Sequence, residues 1–154
     1  MKIFENVALN NFKSSNFFTN GLINEKKIRE HAKKIITDFN VNTDNIELTS
    51  QFLSGGNLQK LIIGRELITS PDLLICFNPT WGLDVGAINY IHETLIKINE
   101  QDKSIILIST DTDELLRLSD KISVIYKGKL SKIMNAEEVT PEKLGVLMGG
   151  GEID

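Results

Sequence analysis

The sequence predicts an α/β fold built on a parallel sheet, and three observations lead to it. Two apolar runs, at residues 73–77 and 104–109, have the length and continuous hydrophobicity of strands that are buried on both faces of a parallel sheet. A segment with apolar residues at helical spacing lies between them, and a shorter one follows the second run. Strands that alternate with helices of about 10–15 residues are typical of βαβ units, whose sheets are parallel.

One helix is clearly predicted in the first fifty residues. Residues 25–39 follow Asn24, a good N-cap, and repeat apolar side chains at helical spacing. The apolar stripe consists of Ile28, Ala32, Ile35, Ile36 and Phe39. We interpret the lysine-rich opposite face as a solvated surface and His31 as a half-buried structural residue.

The segments on either side of this helix are weakly patterned. Residues 3–9 fit a short helix, because Ile3, Phe4, Val7 and Leu9 fall on one side of it. Residues 14–21 and 40–52 are rich in Asn, Ser, Thr and Gly, which predicts loops.

The start of the next predicted helix carries the strongest chemical signal. Ser54 is a good N-cap, and Gly55 and Gly56 leave the first backbone N–H groups of the helix uncovered. Free N–H donors and the positive end of the helix dipole bind phosphate oxygens, and the missing Cβ atoms let a phosphate ester come close to the backbone. Asn57 and Gln59 would add side-chain donors at the rim of this site.

A lone Ser-Gly-Gly sequence is more often an ordinary helix start than a binding site. Here the pattern extends over eight residues in order, which favours a functional motif. These residues are Leu53, Ser54, Gly55, Gly56, Asn57, Leu58, Gln59 and Lys60. The helix is predicted to continue to about residue 69, where a Ser-Pro-Asp sequence ends it.

The strand at 73–77 leads into a loop at 78–87 and then into a helix. The apolar stripe of this helix is Ile88, Ile91, Leu95 and Ile98. Tyr90 and His92 lie off the stripe, so we interpret them as packing or surface residues.

After the strand at 104–109 the chain predicts four further elements. In order they are a helix at 111–118, a third strand at 122–126, a hairpin arm at 130–133 and a short helix that begins at Thr140 and Pro141. Asp111 and Glu114 have the spacing of a capping box, which explains the acidic residues there better than a metal site does.

Composition excludes several classes of function. The 154 residues carry 17 basic and 21 acidic side chains, a net charge of −4, which argues against a nucleic-acid surface. The single cysteine excludes an internal disulfide. No apolar run has the length of a signal peptide or of a transmembrane helix. We therefore expect a soluble, cytoplasmic protein that reaches a membrane only through a partner.

Four segments occur together in the order and spacing of ATP-binding-cassette ATPases. They are residues 53–60, the Asn78, Pro79 and Thr80 that follow a strand, the loop at 82–87 and residues 118–122. On these motifs the chain resembles the rear half of such an ATPase domain over residues 1–135, and 53–60 is similar to the family's signature motif. Asn57 and the Asp-Val-Gly-Ala sequence are typical of the second ATPase domain of bacterial sugar and nucleoside importers, where two ATPase domains are fused. The sequence near Thr140 favours the nucleoside branch.

The resemblance implies a three-layer P-loop NTPase fold of the RecA-like type with part of the family's α-helical subdomain. It divides the chain into the rear part of that subdomain at 1–69, the C-terminal part of the RecA-like core at 70–135, and a short helix and tail at 136–154. In the family, the phosphate-loop strand lies between the strands that match 104–109 and 121–126. We expect this central strand to be absent here, which would leave unpaired sheet edges and a marginal fold.

Three departures from the family pattern concern catalysis. No Gly-x-x-x-x-Gly-Lys-Ser/Thr phosphate loop occurs in the chain. Phe77 and Asn78 replace the Asp and Glu that end the family's Walker B motif, so neither Mg²⁺ binding nor proton abstraction from water is expected there. Thr110 stands at the position of the family's switch His. We therefore expect no catalytic residue and no metal ligand in this chain.

The parts that the family uses across a dimer are present. The resemblance implies that Ser54, Gly55 and Gly56, with Asn57 and Gln59, contact ATP held with Mg²⁺ mainly by a partner half. Gly82 and Asp84 would belong to the dimer-facing loop. The implied partners are a first ATPase domain or an ATPase subunit, transmembrane permease subunits and, indirectly, an extracytoplasmic substrate-binding protein, at the cytoplasmic side of the cell membrane. No nucleic acid is expected.

Two other interpretations remain open at this point. The chain could be a decayed or split-gene fragment with no independent function. It could also be a fragment of a non-transport member of the family, such as a translation or DNA-repair ATPase. Those relatives usually add long coiled coils or basic surfaces, and the sequence contains neither.

Overall fold

A computed structural model describes residues 1–9, 17–19 and 22–151. The predicted loop at 14–21 therefore lies mostly outside the described residues. The chain forms two compact units. The first comprises Met1–Asp72 and Thr80–Glu93, and the second comprises Leu73–Pro79 and Thr94–Asp154. This division differs from the predicted boundaries at 69 and 135, because the segment after the first core strand joins the N-terminal unit.

Besides residues 85–93, which begin a fourth helix, the described part of the first unit contains three complete helices. They are α1 (Ile3–Ala8), α2 (Glu25–Asp38) and α3 (Gly55–Leu67), with a small hairpin of β1 (Phe18–Thr19) and β2 (Leu22–Ile23) and a 3-10 turn at Ser50–Phe52. The core consists of Ile3, Phe4, Val7, Ala8, Phe17, Ile28, Ala32, Ile35, Val41 and Leu61. The weakly patterned N-terminal segment thus supplies a large share of this core, and Leu9, predicted on its apolar side, is exposed.

The predicted helix starts are confirmed, since each cap accepts a bond from the first turn of its helix. Asn24 Oδ1 accepts from Lys27 N–H at 3.1 Å, and Thr140 Oγ1 accepts from Lys143 N–H at 3.3 Å. His31 is half-buried and packs edge-on against Phe17 at 5.0 Å between ring centroids. Burial, assisted by the charge of Lys34, lowers the pKa of His31.

The second unit contains a two-stranded parallel sheet. β3 (Leu73–Phe77) pairs with β4 (Ser104–Ile108) in a register that places Leu73 opposite Ser104 and Phe77 opposite Ile108. The long helix α4 (Val85–Asn99) connects the two strands, and α5 (Thr112–Leu118) follows the second. This strand–helix–strand order confirms the predicted α/β class.

The prediction that these strands are buried on both faces is wrong. Leu74 and Cys76 are buried, but Leu73, Ile75 and Phe77 are exposed. Alternation of burial along a strand means that only one face of the sheet is covered. No part of the described chain packs over the other face closely enough to bury it.

The predicted third strand at 122–126 is also not continuous. It divides into β5 (Lys121–Ile122), which pairs with β8 (Met134–Asn135), and β6 (Ile125–Tyr126), which pairs with β7 (Lys129–Leu130). Ser131 lies at the break, where its Oγ accepts from Val124 N–H at 2.9 Å and its carbonyl accepts from Ser123 Oγ at 2.9 Å. These side-chain bonds stand beside a single backbone bond, from Ser131 N–H to the Val124 carbonyl at 2.8 Å, in the gap between the two short pairs.

The hairpin between β6 and β7 has the predicted turn. Lys127 and Gly128 both have positive φ, 45° and 79°, the conformation of a two-residue hairpin turn. The C-terminal helix α6 (Pro141–Met148) begins at proline as predicted and packs through Leu144 with Ile122 and Val139. No helix in the described residues combines the length and the apolar character needed to cross a bilayer.

Candidate functional site

The start of α3 keeps two backbone donors without acceptors. Ser54 Oγ accepts from Asn57 N–H at 3.4 Å, as expected of an N-cap. The N–H groups of Gly55 and Gly56 precede the first intrahelical bond, which runs from Leu58 N–H to the Ser54 carbonyl at 2.8 Å. Among the described residues neither glycine N–H has a hydrogen-bond acceptor. Ser54 and Gly55 are exposed, whereas Gly56 is buried.

Asn57 fixes the hydrogen-bonding state of Ser54. A backbone N–H can only donate, so the Asn57 oxygen must be the atom that accepts from Asn42 N–H at 2.8 Å. The Asn57 amide nitrogen therefore faces Ser54 and donates to its Oγ at 2.9 Å. With two donors directed at Oγ, both acceptor positions of the hydroxyl are used, and its hydrogen is left to donate elsewhere. Asn57 thus supports Ser54 with one of its two amide hydrogens, and its predicted part as a donor at the rim stays a prediction.

Close packing is part of the reason why residues 55 and 56 are glycines. A Cβ placed on Gly56 would lie 2.7 Å from Ala87 Cβ, which is closer than two carbon atoms can pack. A Cβ on Gly55 would lie 3.3 Å from Leu83 Cδ2, a tight but adjustable contact. From the sequence, the absence of a Cβ at both positions was explained by the close approach of a phosphate. Packing against residues 83–87 is a sufficient reason at Gly56.

The loop before α4 has structural roles of its own. Asp84 caps α4, because its Oδ1 accepts from Ala87 N–H at 2.9 Å. Gly82 has a φ of 71°, and no atom outside the adjoining residues lies within 4 Å of the position of a Cβ there, so the backbone conformation explains this glycine. Both residues are exposed, as a surface for a partner requires. Gln59 is partly exposed, and its side chain has no hydrogen bond within the described chain.

Lys60 and Tyr90 support the site, which the sequence interpretation missed. Lys60 Nζ donates to the Asn40 carbonyl at 3.2 Å and lies 4.4 Å from the centroid of the Tyr90 ring. The Tyr90 hydroxyl donates to the Phe39 carbonyl at 2.8 Å. These bonds tie the end of α2 to α3 and α4. No sequence pattern marks them, since they join residues far apart in the chain.

A polar concavity of about 790 Å³ opens beside Ser54. Its lining includes residues 40–44, Leu48, Phe52, Leu53, Ser54 and Lys60. The chain segment that carries Asn42 therefore forms both a wall of this concavity and the anchor of Asn57.

The ends of β3 and β4 differ from the start of α3. Phe77 is exposed and offers no polar atom to a ligand. Asn78 donates its N–H to the Ile108 carbonyl at 2.8 Å, and its Oδ1 accepts from Thr110 N–H at 3.1 Å. Asn78 also has a φ of 44°, which asparagine tolerates better than most residues. Asn78 and Thr110 thus hold adjacent loops together.

Other ionisable groups near the strand ends serve the fold. Asp111 Oδ1 accepts from the N–H groups of Asp113 and Glu114, at 3.0 and 3.1 Å, which confirms it as the cap of α5. In the predicted capping box, the Glu114 side chain would accept from Asp111 N–H. That N–H instead donates to Ser109 Oγ at 3.0 Å.

Burial, assisted by the negative charge of Glu114, raises the pKa of the Cys76 thiol to about 11. In the described part of the chain, no three His, Cys, Asp or Glu side chains are grouped to hold a metal ion.

No model of a known protein family matches the sequence. Individual transport proteins do match the sequence. The nucleoside import ATP-binding protein NupA of Lactococcus lactis subsp. cremoris is 42% identical over 154 residues, which is 100% of this chain and 30% of that protein. The guanosine import ATP-binding protein NupO of Bacillus subtilis is 39% identical over 148 residues, 96% of this chain and 29% of that protein. The ribose import ATP-binding protein RbsA of Bacillus subtilis is 36% identical over 149 residues, 97% and 30% of the two chains.

Solved structures with the same fold are ATP-binding cassettes. A dimeric cassette in a post-hydrolysis state, bound to ADP and Pi, superposes with a TM-score of 0.70 at 24% identity, over 88% of this chain and 57% of that one. A second cassette of an ABC transporter gives 0.70 at 21% identity, over 97% and 59%. At these identities the likeness concerns the fold alone.

The chain spans about 30% of the length of these transport relatives. The alignments agree with the family that the sequence motifs indicate. The predicted placement in the rear part of a second ATPase domain does not fit these alignments exactly.

Proposed function

Because this chain is part of an ATP-binding-cassette ATPase domain related to those of sugar and nucleoside importers, we propose that it completes an ATP site on a partner. The start of α3 would contact the γ-phosphate of an ATP molecule that the partner ATPase domain holds. One observation carries the proposal. The N–H groups of Gly55 and Gly56 have no acceptors among the described residues, and the Ser54 hydroxyl has its hydrogen to donate.

These groups fit a phosphate because all of them are donors at a helix start. Backbone N–H groups and the helix dipole stabilise negative charge without rearranging, so they act most strongly where charge develops during the reaction. Gly55 is exposed and accessible to a ligand, while Gly56 is buried and packs against Ala87. Bound ATP supplies the bond that is cleaved, and the chain contributes orientation and charge stabilisation.

In this proposal the chain does not catalyse hydrolysis by itself. Phe77 offers no oxygen ligand for Mg²⁺, and the Asn78 amide can neither take a proton from water nor release its bond to Thr110 without cost to the fold. Mg²⁺ and the catalytic base would therefore come from the partner half. Gly82 and Asp84 are exposed and would lie in the contact with it.

The transport process that this chain serves is proposed from the names of its relatives. NupA and NupO are named for nucleoside and guanosine import, and RbsA for ribose import. We infer that this chain serves import of a nucleoside or a sugar, together with transmembrane permease subunits, at the cytoplasmic side of the membrane. A substrate-binding protein on the other side would act only through the permease.

The proposal is tested by measuring phosphate release from ATP in three samples. The first contains this chain alone. The second contains a partner ATPase with an intact phosphate loop, together with the permease subunits, and the third combines the first two. We expect no release by the chain alone. We expect the mixture to exceed the partner alone, and Ser54→Ala to return it close to the partner's own rate.

Ser119→Ala is the matched control, because it removes one hydroxyl from a residue outside the proposed contact. Hydrolysis by the purified chain alone, above a blank and unaffected by Ser54→Ala, would refute the division of roles. A mixture no faster than the partner alone would refute the contribution in trans.

A further inference from the structure

The chain leaves α2 through a segment that two side chains hold in place. Asn40 follows the helix with a φ of 50°, a left-handed conformation that asparagine adopts more readily than most residues. Lys60 Nζ donates to the Asn40 carbonyl at 3.2 Å. The Tyr90 hydroxyl donates to the preceding carbonyl, that of Phe39, at 2.8 Å, and the centroid of its ring lies 4.4 Å from Lys60 Nζ. Two successive carbonyls are thus fixed, and with them the direction of the chain beyond α2.

The same segment carries the donor that orients Asn57. Asn42 lies two residues beyond Asn40, and its N–H donates to Asn57 Oδ1 at 2.8 Å. The Asn57 amide nitrogen donates in turn to Ser54 Oγ at 2.9 Å. A continuous series of hydrogen bonds and backbone therefore leads from Lys60 to the Ser54 hydroxyl. Hydrogen bonds weaken steeply when their angles change, so a displacement of the segment would reorient the Asn57 amide and with it the hydroxyl.

We propose that Lys60 is a positioning residue, which holds the segment at 40–42 and thereby keeps the Ser54 hydroxyl directed at ATP. The inference rests on the proposed function, since it assumes that this hydroxyl contacts the γ-phosphate. Lys60 is half-buried, and within the described chain its ammonium contacts a carbonyl and an aromatic ring. It therefore acts on the segment and not on the nucleotide. Lys60 and Ser54 line the same concavity, so a direct contact between the ammonium and a phosphate is the alternative that the test must exclude.

The test measures ATP hydrolysis by the assembled importer with variants at these positions. Lys60→Met keeps most of the length of the side chain but removes its charge and its donors. We expect it to lower the rate at saturating ATP by about tenfold, because a group that acts in the transition state is misplaced. The ATP concentration that gives half the maximal rate should stay near the wild-type value. Lys60→Arg should restore the rate, since a guanidinium can donate to the same carbonyl and stack on the same ring.

Dependence on Ser54 separates a positioning role from a merely structural one. In a chain that already carries Ser54→Ala, Lys60→Met should cause no further loss of rate, because the hydroxyl that Lys60 positions is gone. Tyr90→Phe is a second variant, which keeps the test decisive if Lys60→Met does not fold. It removes only the bond to the Phe39 carbonyl, and its smaller loss of rate should depend on Ser54 in the same way.

Lys2→Met is the matched control, because Lys2 makes a similar pair of contacts at the start of α1. Its Nζ donates to Glu47 Oε2 at 2.9 Å and lies 5.8 Å from the centroid of the Phe4 ring. The control variant loses the same charge and the same donors, and it should keep the wild-type rate. Urea unfolding of every variant shows whether it is folded under the conditions of the assay.

A slow Lys60→Met, recovery in Lys60→Arg and no further loss beside Ser54→Ala support the proposal. A wild-type rate in Ser54→Ala would refute the proposed function and this role of Lys60 with it. If Ser54→Ala is slow, three results overturn the positioning role alone. They are a wild-type rate in Lys60→Met, an equal loss in Lys2→Met, and the same fold-loss from Lys60→Met with and without Ser54. A raised ATP concentration for half the maximal rate in Lys60→Met would also overturn it, because the ammonium would then contact ATP itself.

Discussion

The start of α3 and the ends of β3 and β4 differ in whether their polar groups have hydrogen-bond partners within the described chain. At the helix start, Asn57 uses its own side chain to leave the Ser54 hydroxyl able to donate, and two glycine N–H groups have no acceptor in the described chain. At the strand ends, the Asn78 oxygen and the Thr110 N–H are bonded to each other. The first region leaves donors without an acceptor in the described chain, whereas the polar groups of the second region are bonded to each other.

In the proposed function, this difference decides which part of the chain acts on ATP. A helix start contributes charge stabilisation through its backbone, so it keeps its chemistry as long as the packing around it is kept. A catalytic base or metal ligand is a single side chain, and its replacement by Asn or Phe removes the chemistry at once. The four predictions below test this contrast, beginning with the largest expected effect.

Asn57→Asp should cause the largest loss of activity. A carboxylate cannot donate to Ser54 Oγ, so the hydroxyl would turn inward to donate to Asp, and the added charge would repel phosphate. We expect ATP hydrolysis in the assembled importer to fall by about 10²-fold or more. The rate at saturating ATP is the measurement, because it separates lost catalysis from weak binding.

Asn42→Asp is the control for this experiment. It adds the same charge one hydrogen bond away and keeps the backbone N–H that anchors Asn57. If Asn42→Asp lowered the rate as much as Asn57→Asp, charge alone would explain the result, and the support of Ser54 by Asn57 would be disproved.

Gly56→Ala should destabilise the fold, because its Cβ would meet Ala87 at 2.7 Å. Overpacking of this kind costs about 1–3 kcal/mol in the free energy of unfolding. Gly145→Ala offers a matched comparison in α6, where no atom lies within 4 Å of the new Cβ. There the change should stabilise by about 0.5–1 kcal/mol. Urea unfolding measures both, and equal effects would show that Gly56 is not required for packing.

Asn78→Ala should reduce stability through two separate losses. The bond to Thr110 N–H contributes about 0.5–1.5 kcal/mol, and alanine at positive φ adds a strain of about 1 kcal/mol. Asn78→Gly removes only the bond and should cost less. Thr110→Ala should be nearly neutral, because the donor is the backbone. A destabilisation by Thr110→Ala as large as that by Asn78→Ala would show that the side chains and not this bond hold the loops.

The smallest expected effect concerns the Cys76 thiol. Its rate of alkylation tests whether the strand region lacks a reactive group. Burial raises its pKa to about 11, so the thiol remains protonated at pH 8 and should react with iodoacetamide far more slowly than free cysteine. The folded pKa lies above the unfolded one. The unfolded state therefore loses its proton first as pH rises, and stability should fall between about pH 9 and pH 11. Cys76→Ala should lack this fall, and rapid alkylation at pH 8 would contradict the burial.

Local patterns in the sequence predicted much of the fold. The caps at Asn24, Ser54, Asp111 and Thr140 depend on the next three or four residues, and all four are found in the structure. The positions of α2, α3, β3 and β4 follow from apolar spacing in the same way. Helix and strand types are local properties, so one sequence suffices for them.

The errors concern contacts between distant residues. Continuous hydrophobicity at 73–77 predicted burial on both faces, but burial also requires another segment to cover the second face. The support of Ser54 by Asn57 was not predicted, because nothing near Asn57 in sequence indicates that Asn42 N–H would bind its side chain. The break at Ser131 and the contribution of α1 to the core are of the same kind.

In the proposed function, the helix start acts on ATP and the strand ends serve only the fold. The most direct measurement compares Ser54→Ala and Asn78→Ala in the assembled importer, by ATP hydrolysis at a temperature where both variants are folded. We expect Ser54→Ala to lower the rate by about 10²-fold and Asn78→Ala to leave it near the wild-type value. Abolished hydrolysis in Asn78→Ala with a near-normal rate in Ser54→Ala would contradict this account.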